Sequence, residues 1–348
     1  TPRPQKIELV AIVTNKQAAI ENGGDGGGAP PTGNWQAPQT LGSIDLGAGN
    51  SATDLDVKNK IVYLTSEASA VAKPDFFIVN ATDGQNPFII SSLDIGAGLK
   101  SVDIAGGYAF VASKDDDKEL IVIDISNSSA PVEVASLNLT GSANALTIFY
   151  RNSYVYIGRA DGAPQEFSII NVSNPLSPFL VSGLSGVGDE INDIYVLNNR
   201  AYLGTEDASR GMIIIDVANP ASPSIMGSIN VNDDVYGIYP LSEDKILAGE
   251  KTKFYIINAS NASSMTISGS VLINDRTRDI VSVGSLAFLA TENPNAEFQI
   301  YDISNPASPF LWNSFNFPQT ATGIDYENNI VYVSVKSNDG LRIITSTP

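Results

Sequence analysis

The sequence predicts an all-β fold, a seven-bladed β-propeller of four-stranded blades, from two repeats and the number of their copies. The first repeat is an apolar strand followed by a turn that begins at Asp or Asn and, in its clearest copies, continues to Asn-Pro-x-Ser-Pro. Its copies are separated by 44, 47, 45, 42 and 44 residues. Short strands with a period near 45 residues are typical of propeller blades. The anchoring residues are Asn80, Asp124, Asn171, Asp216, Asn258 and Asp302.

A second repeat precedes each copy of the first and supplies the other strands. Its seven copies run from IVYLTSE at residue 61 to IVYVSVK at residue 330. β-Branched, aromatic and small residues alternate in these segments, as in sheets that are packed on both faces. Each unit therefore contains an inner, a second, a third and an outer strand.

The seventh unit lacks an outer strand of its own, because its third strand GLRIITS is followed only by residues up to Pro348. Residues 38–46 match the outer strands of the other units position by position. We therefore expect them to complete the seventh blade. Closure of this kind removes exposed sheet edges and ties both ends of the propeller together.

The turn motif of the first repeat is similar to that of a known family. Asp216-Val-Ala-Asn-Pro and Asp302-Ile-Ser-Asn-Pro resemble the signature of the LVIVD-repeat propellers, which are secreted and cell-surface proteins of bacteria and archaea. The resemblance covers residues 38–348 and is specific for the architecture. It implies an extracellular or cell-surface location, and it brings no shared activity that could be assigned to a residue.

Residues 1–37 have no counterpart in the repeats and are predicted to form an N-terminal extension and linker. The end of this segment is rich in Gly and Pro, which is typical of a flexible linker. An apolar stretch before it is predicted to be an assembly tail, which docks either on its own propeller or into a neighbouring subunit. The tail residues are Ile7, Leu9, Val10, Ile12 and Val13.

Composition excludes several classes of function. The chain has no Cys and no His, so disulfides, zinc–thiolate sites and Ser-His-Asp or Cys-His catalysis are excluded. The net charge of -18 opposes binding to nucleic acid. No apolar run reaches the roughly 18 residues expected of a membrane span, so no transmembrane segment is predicted in this chain.

Acidic residues are concentrated in the loops between second and third strands and in the loops that enter the inner strands, Glu190 among them. In a propeller these loops share one face, so acids at one repeat position should form a broken ring around the channel mouth. Carboxylates of this kind suit Ca²⁺, although hairpin tips are solvated and polar in any case. The candidate cation ligands are Glu67, Asp116, Glu206, Glu250 and Glu292.

Asp54, Asp193 and Asp279 occupy equivalent positions on three inner strands. We expect them either to bind backbone amides of the next blade or to hold a cation or act in catalysis. Of the Asn-x-Ser/Thr sequences, those at Asn127 and Asn261 are the candidates for N-glycosylation on the surface.

Together these features predict a non-enzymatic extracellular structural or adhesion protein. In this interpretation the chain is the subunit of a surface filament, self-associates through its N-terminal tail, and has glycans or other surface proteins as further partners. The alternative is a surface propeller that binds carbohydrate, peptide or Ca²⁺, and a lyase or glycosidase based on Asp, Glu and Tyr is less favoured. No cofactor other than Ca²⁺ is predicted.

Overall fold

A computed structural model describes residues 31–68, 73–96, 98–207, 209–317, 319–337 and 339–348. In these ranges seven antiparallel four-stranded sheets form a β-propeller, which confirms the predicted fold class and the number of blades. Within the same ranges the one helical segment is a 3₁₀ turn at Ala262–Ser264, and no helix there has the length and apolar character needed to cross a membrane. The predicted tail, Ile7 to Val13, lies outside the described residues.

The first four blades are continuous in sequence and run from the inner to the outer strand. Blade 1 comprises Asn50–Lys58, Ile61–Ala68, Phe76–Asn80 and Phe88–Leu93. Blade 2 comprises Leu99–Ala105, Tyr108–Ser113, Leu120–Asp124 and Val132–Leu137. Blade 3 comprises Ala145–Arg151, Tyr154–Arg159, Phe167–Asn171 and Phe179–Leu184. Blade 4 comprises Ile191–Leu197, Arg200–Thr205, Met212–Asp216 and Ser224–Ile229.

Blades 5 and 6 follow the same order, whereas blade 7 takes its outer strand from the beginning of the described chain. Blade 5 comprises Gly237–Ser242, Lys245–Gly249, Lys253–Asn258 and Thr266–Leu272. Blade 6 comprises Thr277–Val283, Leu286–Thr291, Phe298–Asp302 and Phe310–Phe315. Blade 7 comprises Ala321–Glu327, Ile330–Val335, Leu341–Thr347 and, as its outer strand, Asn34–Ile44.

The outer strand of blade 7 pairs antiparallel with Leu341–Thr347, so the predicted closure is confirmed. This strand begins at Asn34, earlier than the expected boundary at residue 38. Trp35 explains the difference, because its side chain is only 2% exposed. Its ring meets that of Phe288 edge-on at a centroid distance of 4.8 Å, and its indole N–H donates to Asn329 Oδ1 at 3.2 Å.

The Asp and Asn residues of the repeated turns form pairs of Asx turns, which explains why they recur in the sequence. In blade 2, Asp124 Oδ1 accepts from the Ser126 amide at 2.9 Å, and Asn127 Oδ1 then accepts from the Ser129 amide at 3.2 Å. Short side chains that accept a hydrogen bond from the backbone two residues ahead favour such turns. The other turns make the same first bond, so the Asp/Asn anchor of the repeat is a structural requirement.

The inner strands contain a recurring β-bulge. In blades 1, 2, 3, 4, 6 and 7 the inner strand has one residue more than the second strand opposite it. A bulge of this type locally changes the direction of a side chain and is common next to functional sites. The extra residues, called here the bulge residues, are Thr53, Lys100, Leu146, Asn192, Arg278 and Thr322.

Candidate functional site

All six bulge residues line a cavity at one end of the central channel. In blade 5, which has no bulge at this position, Tyr236 just before the inner strand contributes to the same wall. The cavity has a volume of about 210 Å³. This is below the roughly 300–1,000 Å³ that is typical of sites for drug-sized ligands, so a ligand that fills it would be small. We call it the channel-mouth cavity.

Three bulge residues have a structural role. Thr53 Oγ1 donates to the carbonyl of Leu99 in the next blade at 2.9 Å. The Thr322 hydroxyl and the Asn192 side-chain amide make equivalent bonds to the blades that follow them, at 3.1 Å each. Here the repeat uses the bulge to join neighbouring blades.

In blade 2 the bulge residue is a charged group of the cavity wall. Lys100 Nζ donates to Glu67 Oε1 at 2.7 Å, and Lys114 Nζ lies 2.5 Å from the same oxygen. Burial of Glu67 would raise its pKa, but the hydrogen bonds from the two lysines outweigh this effect and lower the pKa to about 2. Glu67 is therefore already neutralised by protein cations.

A second ion pair lies in blade 6. Arg278 Nε donates to Glu292 Oε1 at 2.7 Å, and Arg276 Nη1 lies 3.9 Å from Glu292 Oε2. The Arg276 guanidinium is also 4.2 Å from the centroid of the Tyr236 ring, which is a favourable cation–π distance. Glu292 is thus engaged by arginine, as Glu67 is by lysine.

The inner-strand carboxylates of Asp54, Asp193 and Asp279 accept hydrogen bonds from backbone amides of the next blade, which was one of the two roles expected for them. Asp193 Oδ2 accepts from the Ile238 amide at 2.8 Å. Asp279 Oδ2 makes the equivalent bond to the following blade at 2.9 Å. Asp54 Oδ2 accepts from both the Val102 amide and a serine hydroxyl of that blade.

A deeper set of carboxylates was not recognised from the sequence. Asp56 accepts from the Ile104 amide at 2.8 Å, Asp103 from the Tyr150 amide at 2.6 Å, and Asp325 from an amide of blade 1 at 2.9 Å. They occupy the position two residues after that of Asp54. The sequence indicated this set only weakly, because other blades have large apolar or aromatic residues at the same repeat position.

Those aromatic residues form the floor of the cavity. The ring of Tyr195 lies 4.6 Å from that of Phe149 and 5.3 Å from that of Tyr239, measured between centroids. All three rings line the cavity and are almost fully buried. Burial raises the pKa of the Tyr195 hydroxyl well above its ordinary value. The hydroxyl therefore stays protonated at neutral pH.

Glu190, on the entry to the inner strand of blade 4, also lines the cavity and is half-buried. Within the described ranges its carboxylate accepts no hydrogen bond and forms no ion pair. Burial raises its pKa, and Glu206 adds to the effect, whereas Lys100 and Arg278 act in the opposite direction. Glu190 was one of the acidic loop residues in the sequence. A second feature of the sequence could have indicated a site here, namely the change from Thr or Asn to Lys or Arg at the bulge position.

The other predicted cation ligands are dispersed. Glu250 is 2% exposed and accepts from Thr252 Oγ1 at 2.9 Å and from Tyr255 Oη at 3.1 Å. Asp116 is exposed on its loop, and Glu206 is half-buried. In the described part of the chain, no group of three or more Asp and Glu side chains is arranged to hold a metal ion. The Ca²⁺ site stays a prediction without such a cluster to support it.

Asn127 and Asn261, the predicted glycosylation sites, are both exposed. The side-chain oxygen of each accepts a backbone hydrogen bond in its turn, at 3.2 Å in both cases. Their modification stays a prediction.

Comparison with solved structures shows the same fold at low sequence identity. A virginiamycin B lyase from Staphylococcus aureus, a catalytically inactive histidine-to-alanine variant with quinupristin, is 14% identical with a TM-score of 0.66, over 88% of this chain and 98% of that one. The WD40 propeller of Doa1 is 13% identical with a TM-score of 0.66, over 88% and 96%. The computationally designed Ika8 protein is 12% identical with a TM-score of 0.63, over 88% and 99%.

No curated protein sequence matches the chain significantly. The family model of the LVIVD repeat, in contrast, matches residues 99–139, 143–184, 190–231 and 276–317. These matches fall on blades 2, 3, 4 and 6, and they agree with the motif found in the sequence. The chain is therefore an LVIVD-repeat β-propeller.

Proposed function

We propose that the protein is a non-catalytic binding propeller that holds a small polar ligand in the channel-mouth cavity. The observation that supports this most is the departure of the cavity wall from the repeat. At the bulge position three blades have a neutral side chain that bonds to the next blade, namely Thr53, Asn192 and Thr322. Two other blades have a charged side chain of the cavity wall there, Lys100 and Arg278. Stability does not require this change, because three blades satisfy the position with neutral side chains.

The chemistry of the wall indicates a polar ligand of the carbohydrate or short-peptide class. The wall offers carboxylates, ammonium and guanidinium groups and hydroxyls, above a floor of aromatic rings. Such a mixture is typical of sites that fix a polar ligand through a few groups and cover its apolar face. The loop residues Glu67, Glu190 and Glu292 supply the glutamates of this wall.

Two observations favour binding without catalysis. The cavity carboxylates Asp54, Asp193 and Asp279 all accept backbone hydrogen bonds, so they are committed to joining blades. The lyase of similar fold was solved as a catalytically inactive histidine variant, and this chain contains no His. A histidine-dependent reaction therefore cannot be transferred to it.

A plugged cavity tests the proposal. Thr320 lines the cavity, and T320W should fill the space, whereas T266W adds the same ring at an exposed outer-strand position as a matched control. We expect a screen of sugars, amino acids, amines and carboxylates by calorimetry to give at least one ligand that T266W retains and T320W loses. Failure of every compound to bind, or equal binding by both variants, would overturn the proposal.

A second role, assembly into an extracellular surface filament, is supported by the place where the N-terminal extension leaves the propeller. The Thr32 amide donates to Asn329 Oδ1 at 2.9 Å, and the Asn313 side chain donates to the Gln36 carbonyl. These bonds hold the start of the described chain against blades 6 and 7. A segment attached there can reach a neighbouring propeller.

Electron microscopy distinguishes this role from a purely monomeric one. We expect the full chain to form filaments, and a variant lacking residues 1–30 to remain as single rings with an unchanged circular dichroism spectrum. Single rings in both samples would contradict the filament role and leave the binding role unaffected.

A further inference from the structure

Glu190 is an acidic group of the channel-mouth cavity whose carboxylate the described residues leave without a partner. The other two glutamates of the wall are neutralised, Glu67 by lysines and Glu292 by arginines. The Glu190 carboxylate has no hydrogen bond or ion pair with any residue in the described ranges. An isolated carboxylate in a half-buried place is unfavourable unless a partner is supplied.

The charges that face Glu190 do not provide that partner. Glu206 and Asp161 are acidic and repel it, while Lys100 and Arg278 attract it from a distance. Both basic groups already donate to other glutamates of the wall. Burial and Glu206 together keep the pKa of Glu190 raised. A ligand cation could therefore form a charge-assisted hydrogen bond with Glu190, because the neighbouring basic side chains already bind other glutamates.

Thr147 supplies an independent indication of a ligand. It lines the cavity, is only 4% exposed, and its hydroxyl makes no hydrogen bond with any residue that the structure describes. At the same repeat position Asp193 binds the next blade and Ser101 donates to Asp54 Oδ2 at 2.7 Å. The Thr147 oxygen is not among the fully enclosed side-chain atoms that lack a partner, so it is open to the cavity, where a ligand hydroxyl or carbonyl can hydrogen-bond to it.

The aromatic floor is compatible with a positive charge above it. Tyr195 and Tyr239 line the cavity with rings that meet at 67°. Ring faces attract ammonium groups, and the attraction is stronger where water is excluded. The aromatic rings at the floor of the cavity therefore do not oppose the binding of a cation.

We propose that the channel-mouth cavity binds a small organic ammonium ion, whose amine is held by Glu190 and whose polar body hydrogen-bonds Thr147. This inference rests on the proposed function and makes it more specific. The volume of about 210 Å³ limits the ligand to a small amine, such as an amino sugar or a short amino alcohol.

Matched probes test the charge of the ligand. Glucosamine, glucose and glucuronate have the same ring and differ in charge, and ethanolamine, ethylene glycol and glycolate form a second set. Each is titrated by NMR into the wild-type chain and into T320W, with Ca²⁺ as a separate probe. We expect the two amines to bind and the plugged variant to lose them.

The variant E190Q removes the charge and keeps the shape, and D161N removes an exposed neighbouring charge as its control. A hydrogen bond between charged groups is worth about 1.5–3 kcal/mol, so we expect E190Q to weaken amine binding by about tenfold or more. D161N should change it little, and T147V should weaken it by a smaller factor. Because the pKa of Glu190 is raised, amine binding should weaken on acidification at a higher pH than an ordinary glutamate would produce.

Each outcome decides between the two proposals. Binding of glucose or glucuronate that T320W abolishes and E190Q leaves unchanged would overturn the ammonium inference and keep the binding function. Binding of Ca²⁺ with no amine binding would assign Glu190 to a metal ion and also overturn the inference. No binding by any probe in either set would overturn the ammonium inference, whereas the binding function is overturned only when the wider screen also gives no ligand. All variants must keep the wild-type unfolding midpoint for these comparisons.

Discussion

The two sides of the ring solve the same problem, the joining of neighbouring inner strands, with different chemistry. On one side, blades 7, 1 and 2 use Asp325, Asp56 and Asp103 to accept an amide of the next blade. On the other side, blades 3, 4 and 5 place Phe149, Tyr195 and Tyr239 at the same repeat position. The carboxylate side leaves the channel polar, and the aromatic side provides the cavity floor.

The difference shows that the repeat requires a bond or a packed pair at each blade junction, and does not require a particular residue. The junction of blades 3 and 4 has an aromatic contact of 4.6 Å and a bond from Arg151 to the Val196 carbonyl at 3.2 Å. A junction that is held by packing releases the acidic position for another use. The aromatic floor of the candidate site lies where the blades have used this freedom.

The largest effect is expected from removing a floor ring. Phe149→Ala deletes a buried ring that packs on Tyr195, and truncation of a buried Phe costs about 3–5 kcal/mol of unfolding free energy. Val281→Ala, at the same position in blade 6, removes a smaller side chain and should cost less. Urea denaturation measures both, and equal losses would mean that the aromatic floor does not carry its junction.

The next effect depends on pH and concerns a carboxylate on the polar side of the ring. Asp75 is fully buried, its Oδ1 accepts from the Ile95 amide at 2.9 Å, and its Oδ2 has no hydrogen bond among the described residues. Burial, above all, raises its pKa from 3.8 to about 6. The stability it contributes is therefore present below pH 4 and lost as the pH rises through 6.

The stability of Asp75→Asn relative to the wild type should accordingly be greater at pH 8 than at pH 4 by about 2–3 kcal/mol, since one pKa unit corresponds to about 1.36 kcal/mol. Thermal unfolding at both pH values measures the difference. Asp94→Asn, which removes the exposed neighbouring charge, should leave most of the pH dependence in place. A flat profile for the wild type would contradict the raised pKa.

A smaller effect is expected at a carboxylate junction. Asp103→Ala leaves the buried Tyr150 amide without its acceptor at 2.6 Å, and an unsatisfied buried donor costs about 1–3 kcal/mol. Asp216→Ala removes a carboxylate from a surface Asx turn and serves as the control with a lower cost. If the two variants lose the same stability by urea denaturation, the buried Asp set is not what joins these blades.

The smallest effect is expected at the hydroxyl of the aromatic side. Tyr239 Oη donates to the Ser282 carbonyl at 3.3 Å, so Tyr239→Phe should cost about 0.5–1.5 kcal/mol. Tyr108→Phe, at a half-buried position on a second strand, is a matched control. A loss near that of Phe149→Ala would show that the aromatic junction depends on its hydrogen bond more than on packing.

The repeats predicted the blade count and the LVIVD architecture because each is encoded several times in the chain, and they predicted the closure because residues 38–46 match the repeated outer strands. Features that occur once were missed. Trp35 extends the closing strand to Asn34, and no other blade has a counterpart that could have indicated it. The bulges also escaped prediction, since they depend on the register between strands and not on the composition of one strand.

The candidate site was predicted only in part for a related reason. Of the predicted acidic ring, Glu67 and Glu292 line the cavity, and their role as cation ligands stays a prediction. Their basic partners Lys100 and Arg278 lie on inner strands, so the charges of the loops alone could not show that these ion pairs form. Glu250 occupies the same repeat position but is buried against Tyr255, because blade 5 has a short connection there.

The strand that completes blade 7 has a consequence for the order in which the molecule can be made. Residues Asn34–Ile44 must wait on the ribosome until Leu341–Thr347 has emerged, a separation of up to 313 residues. Closing so long a loop costs about 3 kcal/mol more than closing a hairpin of about 10 residues, at about 0.6 kcal/mol per doubling. The penalty in stability is modest, so the larger effect is on time. Until synthesis reaches the seventh unit, six blades stand as an open arc with two unpaired ends, and this interval is when a chaperone would be most needed.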